Sequence, residues 1–234
     1  AGGDLNGTTN LDRTNYFETL PNNMLEIALW LESDRMGFLL DSVTKKKFEV
    51  QRGTVKNERG QRYDNAPYGL VNEKTAQSLY PDGHPYSWST IGYVEDLNRA
   101  DENDLRRFFL RWYGPNNAVV TIAGDVKTQD VVKLAEKYFG PIPRGAEVKP
   151  MDKMPAKLEK TRYISYEDNI RFPQLQSTWP TVHGGHPDEA ALDALAEIIG
   201  GTKGSVFYQN FVKAEKAMVA RSGSSVSSLS GAYS

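Results

Sequence analysis

The sequence predicts a folded chain of mixed class, α/β or α+β, from three observations. Its 234 residues are 39% hydrophobic, enough apolar material for a sizeable core. Segments with helical spacing of apolar side chains alternate with short runs of strand character. Between Gly140 and Lys160 the composition shifts to "GPIPRGAEVKPMDKMPAKLEK", a proline-rich, charged stretch that reads as a linker between two parts.

The elements follow in order. "TNYFETL" (14–20) alternates polar and large side chains as a half-buried strand does, and the glycine-rich run before it forms an edge strand or a turn. Pro21, Asn22 and Asn23 open a helix whose Met24, Ile27, Ala28 and Leu31 are spaced for one buried face. A charged helix is predicted from Lys45 to Arg62, with Phe48, Gln51, Val55 and Glu58 on one stripe and Glu58 facing inward. "NAPYG" breaks it; a shorter helix covers 69–79, and "YPDGHPYSWSTIG" is a loop. Leu105, Phe108, Phe109 and Trp112 mark an amphipathic helix beginning near Glu102. "NNAVVTIAGD" reads as a buried strand ending in a Gly-Asp turn, followed by a helix through Val131, Leu134, Tyr138 and Phe139. Beyond the linker come strand candidates "TRYISYED" and "FPQLQSTWPTV". Helices over 187–199 and 204–215, separated by a Gly-Gly break, and a last strand start complete the reading.

Composition narrows the function classes. Twenty-eight Lys and Arg against 30 Asp and Glu give a formal charge of -2, so no overall basic surface points to nucleic acid or anionic lipid. The absence of cysteine removes disulfide frameworks, Cys-type zinc sites and thiol nucleophiles, and leaves the compartment open. No apolar run approaches the roughly 20 residues that span a bilayer. "AGGDLNGTTN" is already turn and strand material and "SVSSLSGAYS" reads as a strand in progress, so the sequence is expected to be a piece of a longer protein.

Local motifs carry little chemistry alone. His84 sits in "GHPYSW", where a loop-holding hydrogen bond is its ordinary use. His183 and His186 bracket two glycines in "VHGGHPDE" and lack the i, i+4 helical spacing that a paired-histidine metal site favours. "IIGGTKGS" fails the spacing of a phosphate loop, and no Gly-x-Ser-x-Gly elbow or dinucleotide fingerprint occurs. Glu58, taken alone, is an ordinary solvated glutamate on a charged helix.

The segments "AGGDLNGTTNLDRTNYFETLP" and "QRGTVKNERGQRYDNAPYG" resemble the insulinase/pitrilysin family of zinc metallopeptidases, in its bacterial processing-peptidase-like branch. The likeness continues collinearly through "LYPDGHPYSWSTIG", "FFLRWYGPNNAVVTIAGD" and "KYFGPIP", and returns in "LDALAEIIGGTKGSVFYQNFVKAEKAMVA". The resemblance implies an α+β fold of two similar halves, sheets covered by helices. On that basis 1–143 is the later part of a first peptidase-like domain, 144–160 a linker, and 161–234 the beginning of a second, inactive one. In the family, zinc is held by two histidines of an H-x-x-E-H helix and by a later glutamate; aligned on "VKNE", Glu58 looks like that glutamate. The residues around Asn6, Gly7 and Thr8 look like the family's substrate-binding edge strand; without the resemblance they read as a glycine turn.

Two departures matter. No H-x-x-E-H occurs in the sequence, so no catalytic residue is assigned, and this chain alone is expected neither to bind zinc tightly nor to cleave peptides. Gln51 stands where several relatives carry another glutamate, which removes a supporting carboxylate. The implied function is that of a zinc-dependent endopeptidase for extended peptides, periplasmic, working as a homodimer or with a paired subunit. The rival is a non-catalytic partner subunit that binds substrate or builds the assembly; retention of Glu58 in "VKNER" favours the enzyme. A third reading is a metal-free peptide-binding module.

Overall fold

The computed structural model describes residues 2–234, leaving Ala1 outside. The class is α+β and dominated by helices. Contacts gather the chain into two compact units: the first runs through Asn57 and resumes over Tyr93–Pro150, the second comprises Glu58–Gly92 and Met151–Ser234. This grouping of contacts follows a different division from the expected domains 1–143 and 161–234, which remain a proposal about the protein's organisation.

The first unit opens with an antiparallel hairpin, β1 (Asp4–Thr9) and β2 (Thr14–Thr19), in the register Gly7↔Tyr16. Asn10 shapes the turn, its side chain accepting the N–H groups of Asp12 and Arg13. Helix α1 (Leu25–Ser42) follows. Its buried residues are Leu29 and Ser33, while Ile27 and Leu31 are exposed, so the expected face is wrong. Apolar side chains fill positions 27–31 without interruption, and such a run does not single out a face. The α1 helix packs against α6 (Thr128–Phe139): Glu26 binds both Lys137 Nζ and the Tyr138 hydroxyl at 2.7 Å, and Gly37 leaves room for Ile142.

Helix α2 (Lys45–Arg59) ends earlier than predicted, in a π-helical turn over Gly60–Asp64. In the first unit it is tied to the loop after α4 (Val94–Arg99) by Arg52, which donates to the Ala100 carbonyl at 2.9 Å, and by Lys56, which reaches Asn98 at 2.8 Å. Helix α5 (Glu102–Trp112) starts where the sequence placed it because Asp101 and Asp104 form a capping box. The Asp101 carboxyl is held below its ordinary value, chiefly by the Asp104 backbone N–H. A group whose pKa is lower folded than unfolded stabilises above its unfolded value and loses that effect as pH falls through the folded one. Hydrogen-exchange protection of the Asn103 and Asp104 amides should therefore fall on acidification below about pH 4, and Asp101→Asn, which caps without titrating, should flatten that dependence.

"NNAVVTIAGD" forms no ladder in the described chain, against expectation: Val119 is 93% exposed, and residues 117–126 run beside β2 and α1 along a cavity of about 1440 Å³. Alternating apolar residues specify a strand only where a neighbouring backbone supplies hydrogen bonds.

The second unit contains α3 (Val71–Leu79), β3 (Trp179–Thr181), α7 (Glu189–Ala196), β4 (Ser224–Val226) and β5 (Gly231–Tyr233). The three strands pair antiparallel in the order β3-β5-β4. Its core joins Leu79, Tyr80, Tyr86, Ala156 and Leu229, so the latter part of the expected linker is built into the packing. The strand candidate 161–168 is irregular and only 179–181 of the second becomes strand; Tyr163 and Leu175 lie almost wholly exposed. The predicted helices shorten to Glu189–Ala196 with a π turn through Gly201, and to a π turn at Tyr208–Val212.

Candidate functional site

Asn6, Gly7 and Thr8 lie together on β1, all exposed, in the first unit. The strand is therefore real where composition alone read a turn. A hairpin bond runs from the Asn10 N–H to the Arg13 carbonyl at 3.0 Å. Counted back from it, Thr8↔Asn15 and Asn6↔Phe17 are the hydrogen-bonded pairs and Gly7↔Tyr16 is not, so Gly7 turns its N–H and C=O to the unpaired edge. The Gly7 N–H is occupied by the Asn6 side-chain oxygen at 2.8 Å, which caps the edge locally. Thr8 accepts from Arg13 at 3.1 Å.

Behind this edge stands Tyr16. Its ring carries the Arg35 guanidinium 3.7 Å above the centroid, and its hydroxyl meets that of Tyr113 at 3.1 Å. Tyr113 stacks on the buried ring of Phe109 with centroids 4.9 Å apart. Burial and then the Tyr113 bond push the Tyr16 phenol up to about 12, so it is neutral at physiological pH. Burial, with Glu32 beside it, raises the Glu18 carboxyl.

Glu58 belongs to the second unit. Its side chain is 39% exposed and accepts from Arg62 at 2.8 Å, one helical turn on. The buried residue of α2 is instead Arg59: its fork reaches both Glu73 oxygens, at 2.9 and 3.3 Å, the Gly92 carbonyl at 2.5 Å and Asp64 at 3.3 Å. The expected inward stripe is thus corrected by one position: Gln51 is exposed, and the less exposed line is Phe48, Arg52, Val55 and Arg59. Spacing of 4, 7 and 11 from Phe48 was available in the sequence, but two arginines in it read as solvent-facing.

The histidines are structural in geometry. Buried His84 donates from Nε2 to the Met154 carbonyl at 2.9 Å, and its Nδ1 accepts the Tyr86 N–H at 3.0 Å, which fixes one neutral tautomer. His183 Nδ1 faces the Gly184 carbonyl and His186 Nδ1 accepts the Asp188 N–H. Zinc, implied by the resemblance, needs three protein donors around it. No group of three or more His, Cys, Asp or Glu side chains among the described residues could hold an ion. Glu58 offers one carboxylate, partly engaged by Arg62, so the residues present do not by themselves form a zinc site.

The sequence profile of the peptidase M16 inactive domain matches residues 99–234, more than half of the chain. The chain belongs to the M16, or insulinase, peptidase family. Among M16 relatives, it is 30% identical to the zinc protease PqqE of Helicobacter pylori over 207 residues, covering 87% of this chain and 46% of that protein. It is 29% identical over 147 residues to the mitochondrial-processing peptidase subunit beta of Caenorhabditis elegans, covering 62% and 31%. A crystal structure of a protease from Helicobacter pylori superposes with a TM-score of 0.86 at 27% identity, over 99% of this chain and 56% of that one. This M16 chain thus spans about half the length of the relatives it matches.

Proposed function

We propose that this chain is part of a zinc-dependent endopeptidase, in which β1 holds extended peptides and Glu58 contributes one carboxylate to a metal completed by residues outside the chain. The observation that carries the reading is the outer edge of β1, where Gly7 turns its C=O outward, its N–H is capped only by the adjacent Asn6 side chain, and Asn6, Gly7 and Thr8 offer no bulky side chain. Backbone-to-backbone pairing there would hold a peptide with little demand on its sequence. Residues 1–143 and 161–234 belong in this reading to two peptidase-like domains joined by 144–160, and a homodimer or paired subunit completes the assembly in the periplasm. No helix among the described residues is long and apolar enough to cross a membrane.

A second reading is a non-catalytic partner subunit; the match of residues 99–234 to a domain described as inactive fits both readings. Peptidase assays on the full-length protein separate the two. The expected result is activity abolished by a chelator and, in Glu58→Gln, reduced more than about a hundredfold, beyond the ~10–100-fold typical of changes outside the ligand sphere. Full activity in Glu58→Gln removes that residue from the metal site, and a folded, wholly inactive parent favours the partner. The 234-residue chain alone, titrated with zinc in a calorimeter after dialysis, is expected to show no tight stoichiometric binding; a clear one-to-one isotherm overturns that.

A further inference from the structure

We propose that Gly7 and Tyr16 form a side-chain subsite on the β1 edge, which selects a bulky apolar residue, aromatic above all, at the peptide position paired with Gly7. The inference rests on the edge-strand reading above and adds a preference to it.

In an antiparallel pair, residues directly opposite place their side chains on the same face. Leu5, Gly7 and Thr9 of β1 therefore share a face with Glu18, Tyr16 and Thr14 of β2. At the middle of that face Gly7 contributes no side chain. A Cβ built there would touch the Tyr16 ring at 3.4 and 3.6 Å, so the edge of the ring lies directly against the bare glycine. An aromatic ring across from an edge glycine covers it, and another strand added outside can place its own side chain over the same gap. The flanks are Leu5, 77% exposed and without a core to enter, and Thr9.

The ring is also held in place. Arg35 lies on its face at 3.7 Å, the hydroxyl is bonded to Tyr113, and Tyr113 is stacked on Phe109, so a chain of contacts runs from the buried face of α5 to the edge. A side chain reaching across Gly7 meets a fixed apolar edge and loses little entropy to reorganisation of the site. The Arg35 charge is matched by Glu32 on the same helix. Tyr16 is thereby a positioning and specificity residue, acting on the peptide and distant from any bond-making role.

The test measures binding of unstructured ten-residue peptides to the full-length protein by fluorescence anisotropy, with Gly and Phe exchanged at each position in turn. One position is expected to favour Phe by roughly three- to tenfold, the size of an aromatic contact. In Gly7→Val that ratio should fall to about one. Gly7→Ala, whose Cβ meets only ordinary contacts, should lower the ratio partway and serves if the valine variant does not fold. Tyr16→Leu should reduce the preference for Phe over Leu at the same position. No position with a preference, or a preference unchanged in both Gly7 variants, overturns the subsite. Gly7→Pro separates it from the parent reading: loss of the outward N–H, which a docked strand takes over from the Asn6 side chain, should weaken all peptides alike, and unaltered binding of every peptide to that variant overturns edge docking itself.

Discussion

Arg59→Met is expected to destabilise the second unit by about 3–5 kcal/mol, because it leaves the Glu73 carboxylate buried without its counter-charge. Both side chains are almost closed to water, at 8% and 6% exposure, and the guanidinium fork binds both carboxylate oxygens. The remaining donors reach the Gly92 carbonyl and Asp64, so a single cation ties the end of α2 to the start of α3 and to the loop after it. Methionine fills much of the volume and supplies none of the donors. The double variant Arg59→Met, Glu73→Leu removes both charges and should recover most of the loss, since well-packed apolar pairs often match a buried ion pair. Urea unfolding of wild type, Arg59→Met, Glu73→Leu and the double variant gives the coupling directly. A single variant within about 1 kcal/mol of wild type, the scale of an exposed pair, would show that water reaches Glu73 easily.

Tyr86→Ala should cost a similar amount, about 3–5 kcal/mol, and Tyr86→Phe about 1–3 kcal/mol. Tyr86 is 1% exposed, the largest side chain so fully enclosed among the described residues, and meets Tyr80 and His84 edge-on at 5.7 and 5.3 Å. Its hydroxyl accepts the Leu229 N–H at 2.9 Å across 143 residues of sequence. The alanine variant opens a cavity where the two parts of the unit meet. The phenylalanine variant keeps the packing and strands the buried Leu229 amide, so its effect reads what the hydroxyl contributes. Faster hydrogen exchange at Leu229 in the phenylalanine protein, with Leu79 unchanged, is the local signature; equal stability of wild type and phenylalanine would mean the amide finds another acceptor.

How much of this was legible varies with the range of the interaction. The α5 helix begins at Glu102 as read, since Asp101 and Asp104 cap it within four residues. Of the β1-β2 hairpin, β2 follows from the alternation in 14–20, while the run before it leaves an edge strand and a turn both open. For the candidate site, Glu58, Asn6, Gly7 and Thr8 were reached through family resemblance; alternation, turn chemistry and helical phase alone gave an ordinary acid and a turn. Arg59, Glu73, Tyr16 and Arg35 were not singled out at all. Their partners lie on other elements, and an arginine on a charged helix carries no local mark of burial.

The sequence by itself determined where most helices start and the mixed fold class, because caps, turns and periodicity act between residues a few positions apart; the kinship to M16 peptidases rests instead on the collinear likeness of whole segments. The tertiary structure decided which side of α1 and α2 is buried, that Ala156 of the expected linker enters the core, and that 117–126 runs without a ladder. Each of these depends on what backbone or side chain stands opposite. Burial and strand pairing are properties of two surfaces, and a linear sequence describes one surface at a time.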